Sequence, residues 1–98
     1  MAETEMTTAK QIADKYRGRG SMPTFAVEQM YRLRDAEVAV LAERSVIGVH
    51  DILGLERTGR FLIASTLFAK CDDSARKALL QDQHHGVRSA AAINARGL

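Results

Sequence analysis

Leu79-Leu80-Gln81-Asp82, the corner Gln83-His84-His85-Gly86, then Val87-Arg88-Ser89-Ala90-Ala91-Ala92: this stretch decides the fold. A leucine pair closes one helix, a tight corner follows, and a second helix opens with an alanine face. Alanine is the best helix former and carries nothing beyond Cβ. A neighbouring helix can therefore come close to that face. The segment predicts helix packed on helix and says nothing about chemistry.

The same pattern extends outward in both directions. Asp72, Asp73 and Ser74 form an N-cap cluster for the helix that carries Ala75, Ala78, Leu79 and Leu80. The helix after the corner should end near Gly97. Upstream, a helix over Arg57–Lys70 holds Phe61, Leu62, Ile63, Leu67 and Phe68, and is expected to be the most buried element. A short helix over Val46–Leu53 precedes it. Gly54 is placed as its C′ residue, with Leu55 folding back as the apolar partner of a Schellman motif.

Pro23 suits the first turn of a long helix in which Ala26, Met30, Leu33, Val40, Leu41 and Ile47 recur at helical spacing. Ala26, Leu33, Val40 and Ile47 also recur by sevens, as along a coiled-coil seam, but Glu37 and Arg44 interrupt the second row. A core-facing helix is therefore expected, broken near its end at Ser45. Thr8 and Gln11 have capping-box spacing for a first short helix through Ala9, Ile12, Ala13 and Tyr16. Gly18-Arg19-Gly20-Ser21 should stop it, leaving residues 17–22 as a Gly/Arg hinge; residues 1–6 should fray. The expected fold is a compact all-α bundle of five to six short-to-medium helices, without a sheet, forming one domain over residues 1–98.

Composition agrees. The chain has 98 residues, 46% hydrophobic and 27% charged, with one Pro, no Trp and 5% aromatics. A β-rich fold would carry more turn punctuation and more β-branched or aromatic residues. A chain this short buries roughly 65% of its unfolded surface, so self-association as a homodimer is a reasonable expectation. The net charge is +2, modest for a dedicated nucleic-acid binder. The positive charge is mostly arginine, which favours bidentate contact with carboxylate or phosphate. Cys71 stands alone, so no disulfide forms within the chain, and a reducing cytoplasm suits it. The N-terminus, Met1-Ala2-Glu3-Thr4-Glu5, does not resemble a secretory signal, and no apolar run approaches the ~20 residues of a membrane span.

Leu79, Leu80, Asp82, Val87, Arg88, Ala90, Ala91 and Ala92 resemble the middle of a HEAT-type helical repeat. The resemblance covers residues 79–95. It implies Asp82 for the inter-helix turn, Arg88 for a bridge to a neighbouring unit, and a surface that binds proteins. Ile93, Asn94 and Ala95 depart from the pattern, which usually has an alanine and a leucine there. No second copy is legible upstream, and repeats generally need about three units.

A second constellation, residues 49–63, resembles a bacterial helix-turn-helix. Gly54 falls in the turn, and Arg57, Thr58 and Arg60 would begin a recognition helix, with Arg17 and Arg19 as an arm onto phosphates or into the minor groove. His50 replaces the usual small residue, Gly59 weakens the helix start, and Arg60 stands where a buried Val or Ile is expected.

No metal is expected: His84 and His85 are adjacent rather than on one helix face, and with Cys71, Asp72 and Asp73 they match no zinc spacing. No enzyme and no cofactor is expected either. Cys71 and Ser65 have no readable base, and Asp72 and Asp73 would raise a thiol's pKa. Gly18-Arg19-Gly20 reads as a hinge before it reads as an anion nest.

The sequence therefore points to a small cytosolic protein that binds another protein, as a regulator, inhibitor or adaptor, of a build common among phage- and plasmid-borne accessory proteins. Its contacts would be Arg32, Arg34, Arg76 and Arg88. DNA binding through Arg57, Thr58, Arg60, Arg17 and Arg19 is the alternative. Arginines gathered on one face would favour DNA; arginines facing acidic neighbours would favour a protein.

Overall fold

The computed structural model describes residues 7–98 and is all-α, as composition and periodicity require. The expected fraying concerns residues 1–6 and lies outside the described residues. Six α-helices follow one another: α1 (Ala9–Lys15), α2 (Thr24–Ala42), α3 (Val49–Leu53), α4 (Arg57–Thr66), α5 (Asp73–Leu80) and α6 (His85–Ala95), with a 3₁₀ turn at Phe68–Lys70. None of the described helices is long and apolar enough to cross a membrane.

Helices α1 and α2 pack as one hairpin and α5 and α6 as another. Helices α2, α4 and α6 stand side by side, α2 against α4 and α4 against α6, while α3 packs on α5. Extents of 42 × 31 × 18 Å match a slab two helices thick, since packed helix axes lie 8–10 Å apart. A parallel bridge joins the segments entering α3 and α5: Ile47 N–H donates to the Lys70 carbonyl at 2.9 Å, and Asp72 N–H to the Ile47 carbonyl at 2.9 Å.

Local chemistry sets most boundaries. Thr8 and Gln11 form the reciprocal capping box, at 3.1 and 2.9 Å. The chain then turns through Gly18 and Gly20 at φ 77° and 81°, a region closed to most side chains. Asp72 caps α5 by accepting from Ala75 N–H at 2.8 Å. Pro23 is the N-cap of α2, one residue ahead of the expected first-turn position.

Four expectations are corrected. The core-facing stripe expected from Ala26 to Ile47 stops short: α2 ends at Ala42, Val40 is 61% exposed while Leu41 is buried, and Ile47 lies in the bridge. An ideal helix drifts about 20° per heptad, so by Val40 the stripe has rotated off the core. The short helix begins at Val49 after the cap Gly48, because bridge pairing holds Ile47 extended. Gly54 is right-handed, φ −84°, so there is no Schellman turn; Leu55 is buried all the same. The helix expected to reach Lys70 breaks at Leu67, and Phe61 on it is 43% exposed.

The core is in two parts. Ile47, Ile52, Leu55, Ile63, Phe68, Leu79 and Val87 lie in the larger, closed by Ala64, Ala75, Ala90 and Ala91. Ala9, Ile12, Ala26 and Met30 make a smaller one between α1 and α2. Glu37 of α2 fastens α1 there, its Oε2 accepting from Ala9 N–H at 3.0 Å. Asn94, where the repeat pattern would have an apolar residue, donates to the Ala64 carbonyl at 3.0 Å and binds α6 to the end of α4. Lys70 donates to the carbonyls of Ala42 and Arg44 and so satisfies the end of α2.

Cys71 is buried in the larger core. Burial pushes its thiol from 9.0 up to about 11; Arg76 opposes this, and Asp72 and Asp51 add to it. The folded value exceeds the unfolded one, so the contribution to stability is complete below pH 9 and lost as pH rises toward 11. Iodoacetamide labelling of the native protein at pH 8 should therefore be slower than that of the urea-unfolded chain by about 100-fold or more. Urea midpoints should fall between pH 9 and 11 more steeply than in Cys71→Ala.

Candidate functional site

Arg60 and Asp82 are 22 residues apart in sequence and meet where α4 faces the α5–α6 turn. Arg60 Nε donates to Asp82 Oδ2 at 2.6 Å and Nη2 to Oδ1 at 3.3 Å. Their side chains are 14% and 6% exposed. The remaining donors and acceptors are also used: Arg60 Nη1 donates to the Leu55 carbonyl at 3.0 Å, and Asp82 Oδ1 accepts from His84 N–H at 2.9 Å. A buried ion pair of this kind is tolerated only when the other lone pairs and protons are satisfied.

Two hollows meet beside this pair, and Arg60 lines the first of them. The first, about 580 Å³, lies between α1 and the start of α4. Lys10, Asp14 and Arg17 line it on one side, Glu56, Arg57 and Arg60 on the other, and Gln83 and His84 close it. The second, about 400 Å³, is more apolar: Phe61, Leu62 and Gly86 line it with Arg34 and Thr58. Arg57 and His84 belong to both and form the ridge between them.

Each wall has a local cause. Glu56 is the N-cap of α4, its Oε1 accepting from Thr58 N–H at 2.9 Å and from the Thr58 hydroxyl. That cap turns Arg57, the first residue of the helix, outward. His84 caps α6: its Nδ1 accepts from Gly86 N–H at 3.1 Å, which leaves Nε2 as the protonated nitrogen of the neutral ring. Gly59 is buried, and a Cβ there would meet Leu55 Cβ at 3.5 Å and Arg34 Cγ at 3.6 Å.

The arginines named from the sequence divide accordingly. Arg17 is paired with Asp14, and Arg34 with Asp35 at 2.8 Å while it lies over the Tyr31 ring at 4.6 Å. Arg60 is held by Asp82, so it does not reach outward from α4 as a base-reading residue would. Arg76 donates to the Phe68 and Ala69 carbonyls and covers the Phe68 ring; Arg88 donates to the Asp82 carbonyl at 2.7 Å. Arg32, Arg57 and Arg19 are exposed, and their guanidinium groups make no hydrogen bond or ion pair with another described residue. Lys10 joins Asp14 at 3.5 Å. Among the described residues no three of His, Cys, Asp and Glu gather as metal ligands do.

Sequence reasoning named Arg60, Asp82, Arg57 and Arg17 but did not join them, and it did not foresee Lys10, Glu56 or His84 at this place. The available signal was Arg60 itself, a charge at a position of the helix where a buried apolar residue was expected. Compared with protein-family models, curated proteins and solved structures, the chain matches none.

Two adjacent substitutions should move stability in opposite directions. Arg60→Ala leaves Asp82 buried without its counter-charge and should lower unfolding free energy by about 3 kcal/mol. Gly59→Ala meets only ordinary contacts and removes a helix-interior glycine, so it should raise it by about 0.5–1 kcal/mol. Urea unfolding by circular dichroism reads both.

Proposed function

We propose that this chain is a small cytosolic protein that acts by binding another protein, as a regulator, inhibitor or adaptor, and that the partner sits on the ridge of Arg57 and His84. The observation that carries this reading is the joining of two unlike hollows at that ridge. One offers charges of both signs, Lys10 and Arg17 beside Asp14 and Glu56; the other offers Phe61 and Leu62. Protein interfaces combine an apolar centre with polar surroundings and are enriched in arginine and aromatic residues. Arg57 supplies an uncommitted guanidinium for a partner carboxylate, and Phe61 the apolar anchor.

The second reading, a DNA-binding regulator, is favoured by one observation: Lys10, Arg17, Arg57 and Arg60 do line a single hollow. Against it stand the carboxylates already on Arg17 and Arg60. A duplex needs several cations free to displace counterions. In addition, α3 packs chiefly on α5, whereas the two helices of a helix-turn-helix pack on each other.

Titration with random duplex DNA at about 50 and 200 mM salt separates the readings. No saturable binding at the lower salt is expected. Binding that weakens by about 10³-fold or more across that range would establish the DNA reading. In affinity capture from host lysate, a stoichiometric protein should be retained by the native chain and lost from Arg57→Glu and Phe61→Ser variants that melt normally.

A further inference from the structure

The second hollow, about 400 Å³, has no carboxylate in its lining. Phe61 and Leu62 form its apolar wall, and Phe61 is 43% exposed. Its other side chains are Arg34, Arg57, Thr58 and His84. Two of these are committed. Arg34 gives Nε and Nη2 to Asp35, and the Thr58 hydroxyl donates to Glu56. The other two are free. The Arg57 guanidinium bonds no other described residue. His84 accepts from Gly86 N–H through Nδ1, so its proton stands on Nε2, and that donor has no partner among the described residues either.

Ligand pockets run from about 300 to 1,000 Å³ and set a few placed polar groups in apolar walls, and this hollow lies at the small end of that range. Both uncommitted groups in it are donors. The complementary ligand is an anion, and one carboxylate can accept from a guanidinium and an imidazole N–H together. The apolar wall stands in the same hollow, so the carboxylate and its apolar body must lie close together. An Asp or Glu side chain has no large apolar group of its own. A chain's last residue has one when its side chain is large and apolar, because α-carboxylate and side chain then leave a single Cα.

We propose that this hollow receives the C-terminal residue of the partner protein, its α-carboxylate bound by Arg57 and His84 Nε2–H and its large apolar side chain set against Phe61 and Leu62. The proposal names the part of the partner that meets the Arg57–His84 ridge, and it rests on the protein-binding reading of that ridge. The first hollow is the wrong place for a carboxylate, since Asp14 and Glu56 line it.

The test titrates the isotope-labelled protein with the peptide acetyl-Gly-Gly-Ser-Leu, followed by NMR at the Gly86 amide and Arg57 Nε–H. The peptide with a free carboxylate should bind saturably. Its C-terminal amide, and a peptide ending in glycine, should each bind at least about 10-fold more weakly, having lost the charge-assisted bonds or the apolar side chain. Arg57→Gln and His84→Asn should each weaken the free-acid peptide by a similar factor. Asn still caps a helix, so the second variant removes the ring donor and keeps the start of α6. No saturable shift, or equal affinity for acid and amide, would overturn the proposal. So would tighter binding of acetyl-Leu-Glu-Gly amide, which would move the carboxylate to an internal side chain, or of free isocaproate, which would make the ligand a small acid. The titration contains no partner protein, so the two readings fail separately. Capture that still depends on Arg57, with no peptide bound, would keep the ridge and reject the chain end; peptide binding without capture would do the reverse.

Discussion

The Arg60–Asp82 pair fixes how α4 sits on the α5–α6 hairpin. It joins the first turn of α4 to the turn between α5 and α6, with both side chains nearly out of water. Desolvating two charges costs several kcal/mol per ion, so the pair adds little net stability by itself. Its contribution is register. The guanidinium fork also holds the Leu55 carbonyl, and the carboxylate also holds His84 N–H, so one contact sets the exit from α3, the start of α4 and the cap of α6 together. A sliding of α4 against the α5–α6 hairpin would leave all of these groups unpaired at once, and a buried polar group without a partner costs about 1–3 kcal/mol.

The need for such a device follows from the alanine face. Ala64, Ala75, Ala90 and Ala91 let the helices approach closely, but each buries little area and has no shape that specifies a neighbour. Polar side chains supply the missing specificity by reaching carbonyls at helix ends: Asn94 to Ala64, Lys70 to Ala42, Arg76 to Ala69. Carbonyls in the last turn of a helix have no intrahelical partner, so these bonds satisfy groups that burial would otherwise leave orphaned. The small core and the carbonyl clamps are two parts of one solution for a short chain.

What could be read in the sequence depends on range. Caps and breaks involve residues two or three apart, and Thr8–Gln11, Gly18–Gly20 and Asp72 stand where local chemistry put them. Helix type was legible from periodicity, and so was the α5–α6 hairpin, although α6 already begins at His85, inside the corner expected at Gln83–Gly86. The direction of a stripe was not: Val40 and Leu41 are equally apolar, and only the rotation of α2 over its length decides which one is buried. Gly54 fits a left-handed cap as well as it fits the right-handed one it adopts, and the bridge at Ile47 needs Cys71, a partner outside any local window. The candidate site was legible only in parts, because its central bond spans 22 residues. An arginine in an apolar position is ambiguous until its carboxylate is known.

The same ambiguity governs how the arginine content bears on function. A basic chain rich in arginine suggests a surface waiting for an anion, yet much of that charge is spent internally. Arg60 answers Asp82, Arg17 answers Asp14, and Arg34 answers Asp35. Arg76 and Arg88 serve carbonyls. Arginine suits both tasks for one reason: a rigid fork with five donors can close a helix end and still face outward. Binding capacity therefore follows the donors left over rather than the residue count. Counted that way, Arg57 keeps its whole guanidinium at the ridge beside Phe61. A single free guanidinium beside an apolar side chain is what the proposed protein partner would meet there, whereas a nucleic acid would need a run of free cations.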